Sequence, residues 1–176
     1  MKLPHILTLA AGVALLMMGG VAARAAQEAT CPVSGHKVTV TDKTVSLTVN
    51  GEKQYFCCAD CPKAFVKNPG KYLKGEMYCP VMTGNTVDLA KSPRLAVNDN
   101  LFFTCCGGCP NQIVSNPQKY IKETRDPVSG QTFQLGEKMP HSLYKGVHYF
   151  FSSAENKKTF DADPDKYSNK LLSTAS

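Results

Sequence analysis

Eight cysteines fall into two sets of four that superimpose when the chain is laid upon itself, and this constrains the fold more than any other feature. A shift of 48 positions carries Cys31-Pro32-Val33 onto Cys79-Pro80-Val81 and Cys57-Cys58-Ala59-Asp60-Cys61-Pro62 onto Cys105-Cys106-Gly107-Gly108-Cys109-Pro110. The same shift brings Asn68-Pro69 onto Asn116-Pro117 and Tyr72 onto Tyr120. A further shift of 47 places Asp126-Pro127-Val128 in the Cys-Pro-Val position and Asp163-Pro164-Asp165-Lys166-Tyr167 over the closing Asn-Pro-x-Lys-Tyr. This third copy has Asp126, Ser152, Ser153 and Asn156 where the others have cysteine. Self-similarity at such a period means small modules in series rather than one average domain. The boundaries read as 27–75, 76–123 and 124–170, with a tail at 171–176.

Residues 1–26 stand apart. Lys2, an apolar run from Ile6 to Val21 and Ala23-Arg24-Ala25 have the layout of a secretory signal peptide. The expected product is a periplasmic or secreted protein with no stable membrane insertion after cleavage. Removing Lys2 and Arg24 lowers the formal charge from +6 to +4, and the remaining lysines are interspersed with acidic residues. No clustered basic and aromatic surface for nucleic acid is present.

Within the first copy, Val38, Val40, Val45, Leu47 and Val49 alternate as a β-hairpin does, and Asn50-Gly51 marks a turn into a short strand, Gln54-Tyr55-Phe56. A helix of two to three turns follows, with Pro62 at an early position, and ends near Asn68 because a proline disfavours helix in the residue before it. Pro69 starts one more turn, with Asn68 as its cap and Tyr72-Leu73 packing back. The fold class is thus α+β: three tandem modules, each a β-hairpin plus short helices, of treble-clef or zinc-ribbon-like type. A module of about 45 residues is near the size that needs a metal, disulfides or a partner to stay folded. In the third copy the aromatic residues Phe133, Tyr144, Tyr149, Phe150, Phe151 and Phe160 are expected to replace that staple, so that this copy folds without metal.

The cysteines have metal-ligand spacing. Cys57, Cys58 and Cys61 lie at a strand-to-helix junction, where backbone N–H groups and the helix dipole favour thiolate. Both the Cys58–Cys61 and the Cys57–Cys61 spacing can chelate one ion, and Cys31 supplies a further ligand when the hairpin brings the ends together. Cys79, Cys105, Cys106 and Cys109 repeat the arrangement. Adjacent residues at a strand end point to opposite sides, so Cys58 and Cys106 are either ligands, reactive thiols or spare. Soft thiolates select Cu(I) or Zn(II), three leaning to Cu(I) and four to structural Zn(II). Met77 and Met82 offer thioether sulfur near the second set, and His36 a nitrogen near the first. His141 and His148 read as surface residues. Pairing of all the cysteines in disulfides, or a Cys58–Cys61 redox couple, is the competing reading for an exported chain. No nucleophile–His–carboxylate set, phosphate loop or nucleotide motif points to an enzyme.

These residues resemble the YHS and TRASH-like modules, small cysteine-containing domains linked with heavy-metal handling. The family pattern looks like Cys-Pro-x-Cys-Gly, then Tyr-x-Phe-Cys-Ser-x-x-Cys, then Phe-x-x-Asn-Pro-x-Lys-Tyr. This chain has Cys31-Pro32-Val33-Ser34-Gly35, Tyr55-Phe56-Cys57-Cys58-Ala59-Asp60-Cys61 and Phe65-Val66-Lys67-Asn68-Pro69-Gly70-Lys71-Tyr72. The resemblance implies Cys31, Cys57 and Cys61 as ligands in the first copy and Cys79, Cys105 and Cys109 in the second. It further implies sequestration or transfer of a soft ion, with a metal transporter or metalloenzyme as partner. Ser34 and Met82 stand where the family has its second early cysteine, and Cys58 and Cys106 replace its serine.

Overall fold

A computed structural model describes residues 27–173; the expected signal peptide lies outside the described residues. The fold is mixed α+β, with small sheets and short helices. Among the described residues no helix is long and apolar enough to cross a membrane.

The central structure is a set of two-residue hairpins. In the first segment, β3 (Ser46–Val49) turns through Asn50-Gly51 into β4 (Glu52–Tyr55). In the second, β5 (Arg94–Val97) turns through Asn98-Asp99 into β6 (Asn100–Phe103). In the third, β9 (His141–Tyr144) turns through Lys145-Gly146 into β10 (Val147–Phe150). The first turn residue has φ of 45°, 50° and 46° in turn, and Gly51 and Gly146 continue at positive φ. That geometry matches strand twist, and asparagine and glycine enter it at little cost.

The N-terminal strands differ from the sequence expectation. Val38 lies in β2 (Lys37–Thr39), which pairs with β1 (Glu28–Thr30) and not with β3, and Val45 lies just before β3. β7 (Thr124–Arg125) pairs with β8 (Thr132–Phe133) in the same way. Each such pair carries the first site residue of its segment in the loop that joins its strands.

After each central hairpin comes a helix: α1 (Cys61–Lys67), α2 (Cys109–Ser115) and α3 (Ala154–Ala162). Pro62 and Pro110 sit in the first turns, where their missing N–H is not needed. Asn68-Pro69 and Asn116-Pro117 end the first two helices and begin 3₁₀ turns at Pro69–Lys71 and Pro117–Lys119. Asn68 makes no side-chain cap bond there, contrary to expectation. In the third segment Asp163 does cap, accepting from the Lys166 N–H, and the turn becomes a short α-helix, α4 (Pro164–Tyr167). Tyr72 packs back as expected, stacking 6.3 Å from Phe65.

The three hairpins join into one six-stranded sheet of order β4-β3-β6-β5-β10-β9. Within a hairpin the pairing is antiparallel, whereas β3–β6 and β5–β10 are parallel. Each hairpin is therefore reversed relative to the one before it, and its two faces are exchanged. The cores record this. Leu47, Phe56 and Phe65 from the first segment and Tyr149, Phe151 and Phe160 from the third share one cluster with Leu101 and Phe103. Leu95, Val97, Phe102, Ile113 and Phe150 form another. Alternation along β6 sends Leu101 and Phe103 to the first cluster and Phe102 to the second, as the period of two requires. Full burial of one such side chain contributes about 1.5–3 kcal/mol. The packed chain extends into the expected tail, since Leu172 is fully buried in the first cluster.

A side-chain clasp marks each parallel junction. The Asn50 amide accepts from the Phe103 N–H at 2.8 Å and donates to the Phe103 carbonyl at 3.0 Å and to the Tyr78 carbonyl. Asn98 repeats this on Phe150, at 2.7 and 2.9 Å, and also donates to the Arg125 carbonyl.

Candidate metal centres

Cys31 sits just past β1 in a tight turn closed by Cys31 N–H to His36 carbonyl and Gly35 N–H to Cys31 carbonyl, both 2.9 Å. Gly35 has φ of 73°, a left-handed conformation that suits glycine. Its thiol is fully buried. Cys57 lies in the link between β4 and α1, and Cys61 is the first residue of α1. The sulfurs of Cys31, Cys57 and Cys61 all lie within 4.8 Å of one another, with Cys57 and Cys61 3.6 Å apart. Cys79, Cys105 and Cys109 form the same group in the second segment, with Cys105 and Cys109 3.8 Å apart.

An ion bonded to sulfur at about 2.3 Å needs neighbouring sulfurs about 3.8–4.0 Å apart. Both triads are near that spacing, and each can hold a metal ion. All eight cysteines are free thiols. Cys58 and Cys106 lie outside the triads, exposed at their rims, with sulfurs 3.3 Å from Cys61 and 3.4 Å from Cys109.

Protons are unevenly placed in these clusters. Burial pushes the Cys31 thiol up, but bonds from the Ser34 hydroxyl and from backbone N–H groups outweigh it and bring the value down to about 6. At Cys79 burial is likewise outweighed, by the backbone N–H groups of Cys105, Met82 and Val81. The bond shared with Cys58, then burial and the other two cysteines, push Cys61 well above the usual thiol range. Burial, with Cys106, Cys105 and Cys79, raises Cys109 to about 12. Burial also raises Cys105. The rim thiols go the other way: Cys58 is lowered by its bond with Cys61, and Cys106 by its bond with Cys109. Crowded thiols cannot all ionise together, so a proton stays at the base of each cluster until a cation displaces it.

The other candidate ligands separate clearly. Met82 places its sulfur 3.7 Å from Cys105, whereas Met77 packs against the first core. The imidazole of His36 is not part of the triad; its backbone is what engages the turn, the N–H with the Ser34 hydroxyl at 3.3 Å and the carbonyl with the Cys31 N–H at 2.9 Å. His141 is exposed and stacks on Phe150 at 5.4 Å. His148 is not a surface residue as expected. It is half-buried in β10, its Nδ1 has no partner, and burial lowers its pKa.

The third segment fills the equivalent place with oxygen and nitrogen. Asp126 is fully buried, and its Oδ1 accepts from the N–H groups of Val128 and Ser129. Its Oδ2 accepts from the Ser152 N–H at 2.8 Å, the Ser152 hydroxyl at 2.7 Å and the Asn156 amide at 2.9 Å. These residues align with the triad cysteines. Burial alone would raise the Asp126 carboxyl, but the five donors hold it below its ordinary value. Sequence reasoning noted the aligned residues without seeing the network. The usable signal was the choice of one acceptor and two donors at three converging positions. Phe160 packs against Tyr149, Phe151 and Tyr144 around it, at 4.7, 5.1 and 6.2 Å.

The family model of the YHS domain fits residues 125–170. No curated protein and no solved structure matches the chain. The match falls on the segment without cysteines; the two segments that hold the sulfur triads also have a hairpin followed by a helix, ending at Asn-Pro where this one ends at Asp-Pro. Residues 125–170 match the YHS domain, and the segments before them carry two three-cysteine clusters fit for a metal ion.

Proposed function

We propose that the chain is an exported, non-enzymatic protein of three copies of one treble-clef-like module, which sequesters or transfers a soft metal ion, Cu(I) or Zn(II), at its first two copies. The observation that carries this reading is the convergence, twice over, of two neighbouring cysteines and one distant in sequence, with their sulfurs within 4.8 Å of one another. The layout of residues 1–26 supports a periplasmic or secreted location. The rim thiols suit transfer: Cys58 and Cys106 are exposed, lean to thiolate and touch the last triad sulfur. An ion leaves by ligand exchange when such a sulfur, or one from a partner metal transporter or metalloenzyme, replaces a triad ligand.

Native mass spectrometry of the mature protein prepared without oxygen, before and after thiol alkylation, tests this. Two bound ions that block alkylation are expected. The close Cys58–Cys61 and Cys106–Cys109 pairs favour a second reading, a thiol-redox or disulfide-stapled protein. That reading expects metal-free protein lighter by two hydrogens per bridge and resistant to alkylation until reduced.

A further inference from the structure

The two sulfur triads are alike, but their fourth neighbours are not. In the first segment the Ser34 hydroxyl lies 3.2 Å from the Cys57 sulfur. In the second, Met82 stands at the aligned position with its Sδ 3.7 Å from the Cys105 sulfur. The Asn85 amide spans these two sulfurs, 3.9 Å from Met82 and 3.7 Å from Cys105. Asn85 closes the turn, its carbonyl accepting from the Cys79 N–H at 2.8 Å as His36 does for Cys31, and the turn is one residue longer than in the first segment.

Packing does not explain Met82. Its side chain is 48% exposed and belongs to neither core, whereas its neighbour Val81 packs against the second. A large side chain left half in water keeps its thioether beside the thiol cluster, against Cys105 and Asn85, rather than in a core. Thioether sulfur is neutral and soft; it adds to the binding of monovalent Cu(I) or Ag(I) and little to that of Zn(II). A serine hydroxyl has the opposite preference.

We propose that Met82 supplies a fourth sulfur to the Cys79–Cys105–Cys109 cluster and makes the second site selective for a monovalent soft cation, while the first site, with Ser34, is comparatively better for Zn(II). The inference rests on the metal reading above. The two clusters then have different cargo preferences within one chain, set by one residue each.

The test uses the full chain with one triad disabled at a time: Cys57→Ser with Cys61→Ser to isolate the second site, and Cys105→Ser with Cys109→Ser to isolate the first. Cu(I) and Zn(II) affinities are measured by competition with chromophoric chelators without oxygen. X-ray absorption counts the sulfurs around bound Cu(I), and circular dichroism checks each fold. At the second site, Met82→Leu keeps the bulk and removes the sulfur. It is expected to weaken Cu(I) by about tenfold or more, leave Zn(II) within about threefold and lower the sulfur count by one. Ser34→Met at the first site is expected to strengthen Cu(I) selectively. If Met82→Leu binds Cu(I) as tightly and with the same sulfur count, the Met82 inference is overturned while the metal reading stands. If neither isolated site takes up either ion, the metal reading falls and this inference with it.

Discussion

Asn50 holds the backbone of Phe103 at both ends of one residue, accepting its N–H at 2.8 Å and donating to its carbonyl at 3.0 Å, across the junction of two hairpins. Asn98 does the same to Phe150 and is nearly inaccessible to water. Removing a partner from buried backbone groups costs more than the bond itself contributes. Asn98→Ala is expected to lose about 2–4 kcal/mol in urea unfolding, and half-buried Asn50→Ala about 1–2 kcal/mol. Equal losses at the two positions would show that burial is not what sets the cost.

Asp126 anchors the third segment through five donors. Asp126→Asn keeps its size but removes the charge, and is expected to cost about 2 kcal/mol near neutral pH. The folded carboxyl titrates below its ordinary value of 3.8. Its stabilisation is therefore complete above that value and is lost as pH falls through the lower folded one. The gap between wild type and Asp126→Asn should close with acid in a pH series of thermal melts; a constant gap would contradict the role given to the charge.

The same place should accept a metal once its ligands are exchanged. Asp126→Cys combined with Ser152→Cys and Asn156→Cys is expected to add a third bound ion by native mass spectrometry. Two ions only, in a folded protein, would mean that the frame alone does not make the site.

Among the native cysteines, Cys57→Ser with Cys105→Ser removes one member of each triad and is expected to abolish most bound metal. Cys58→Ser with Cys106→Ser removes the rim thiols and is expected to retain both ions while slowing their exchange to a chelator. Slow exchange is read by stopped-flow chelator competition. Equal metal loss in both double variants would place the rim thiols among the ligands.

Metal uptake must displace the protons held at Cys61 and Cys109, the latter raised to about 12. Affinity should fall as pH falls, and at the first site the fall should be steeper below about 6 than above it, because Cys31 then takes up a proton as well. Proton release on metal addition in weakly buffered solution measures this, and no release would argue against thiolate ligation.

Local features were readable from the chain: the Asn50-Gly51 turn, the helix with Pro62 in its first turn and its end at Asn68-Pro69. Each depends on backbone preferences of a few adjacent residues. The partner of Val38 was not readable, because β1 is brought to β2 by the turn after Cys31 rather than by a pattern within the strand. Nor were the parallel contacts of β3 with β6 and of β5 with β10, which join residues about 50 positions apart. The adjacency of Cys57 and Cys58 did carry information. Neighbouring residues diverge, and the structure puts Cys57 in the triad and Cys58 at its rim. His148 misled because a lone polar residue says nothing of how many strands will flank it.

Because β4 and β6 run in opposite directions and their hairpins present opposite faces, Cys57 and Cys105 lie at opposite ends of the sheet with α1 and α2 on opposite sides of it. An ion cannot hop from one cluster to the other inside one molecule. Filling should be independent and free of cooperativity, and a receiver docked on either flank would drain a single ion and leave the second in store.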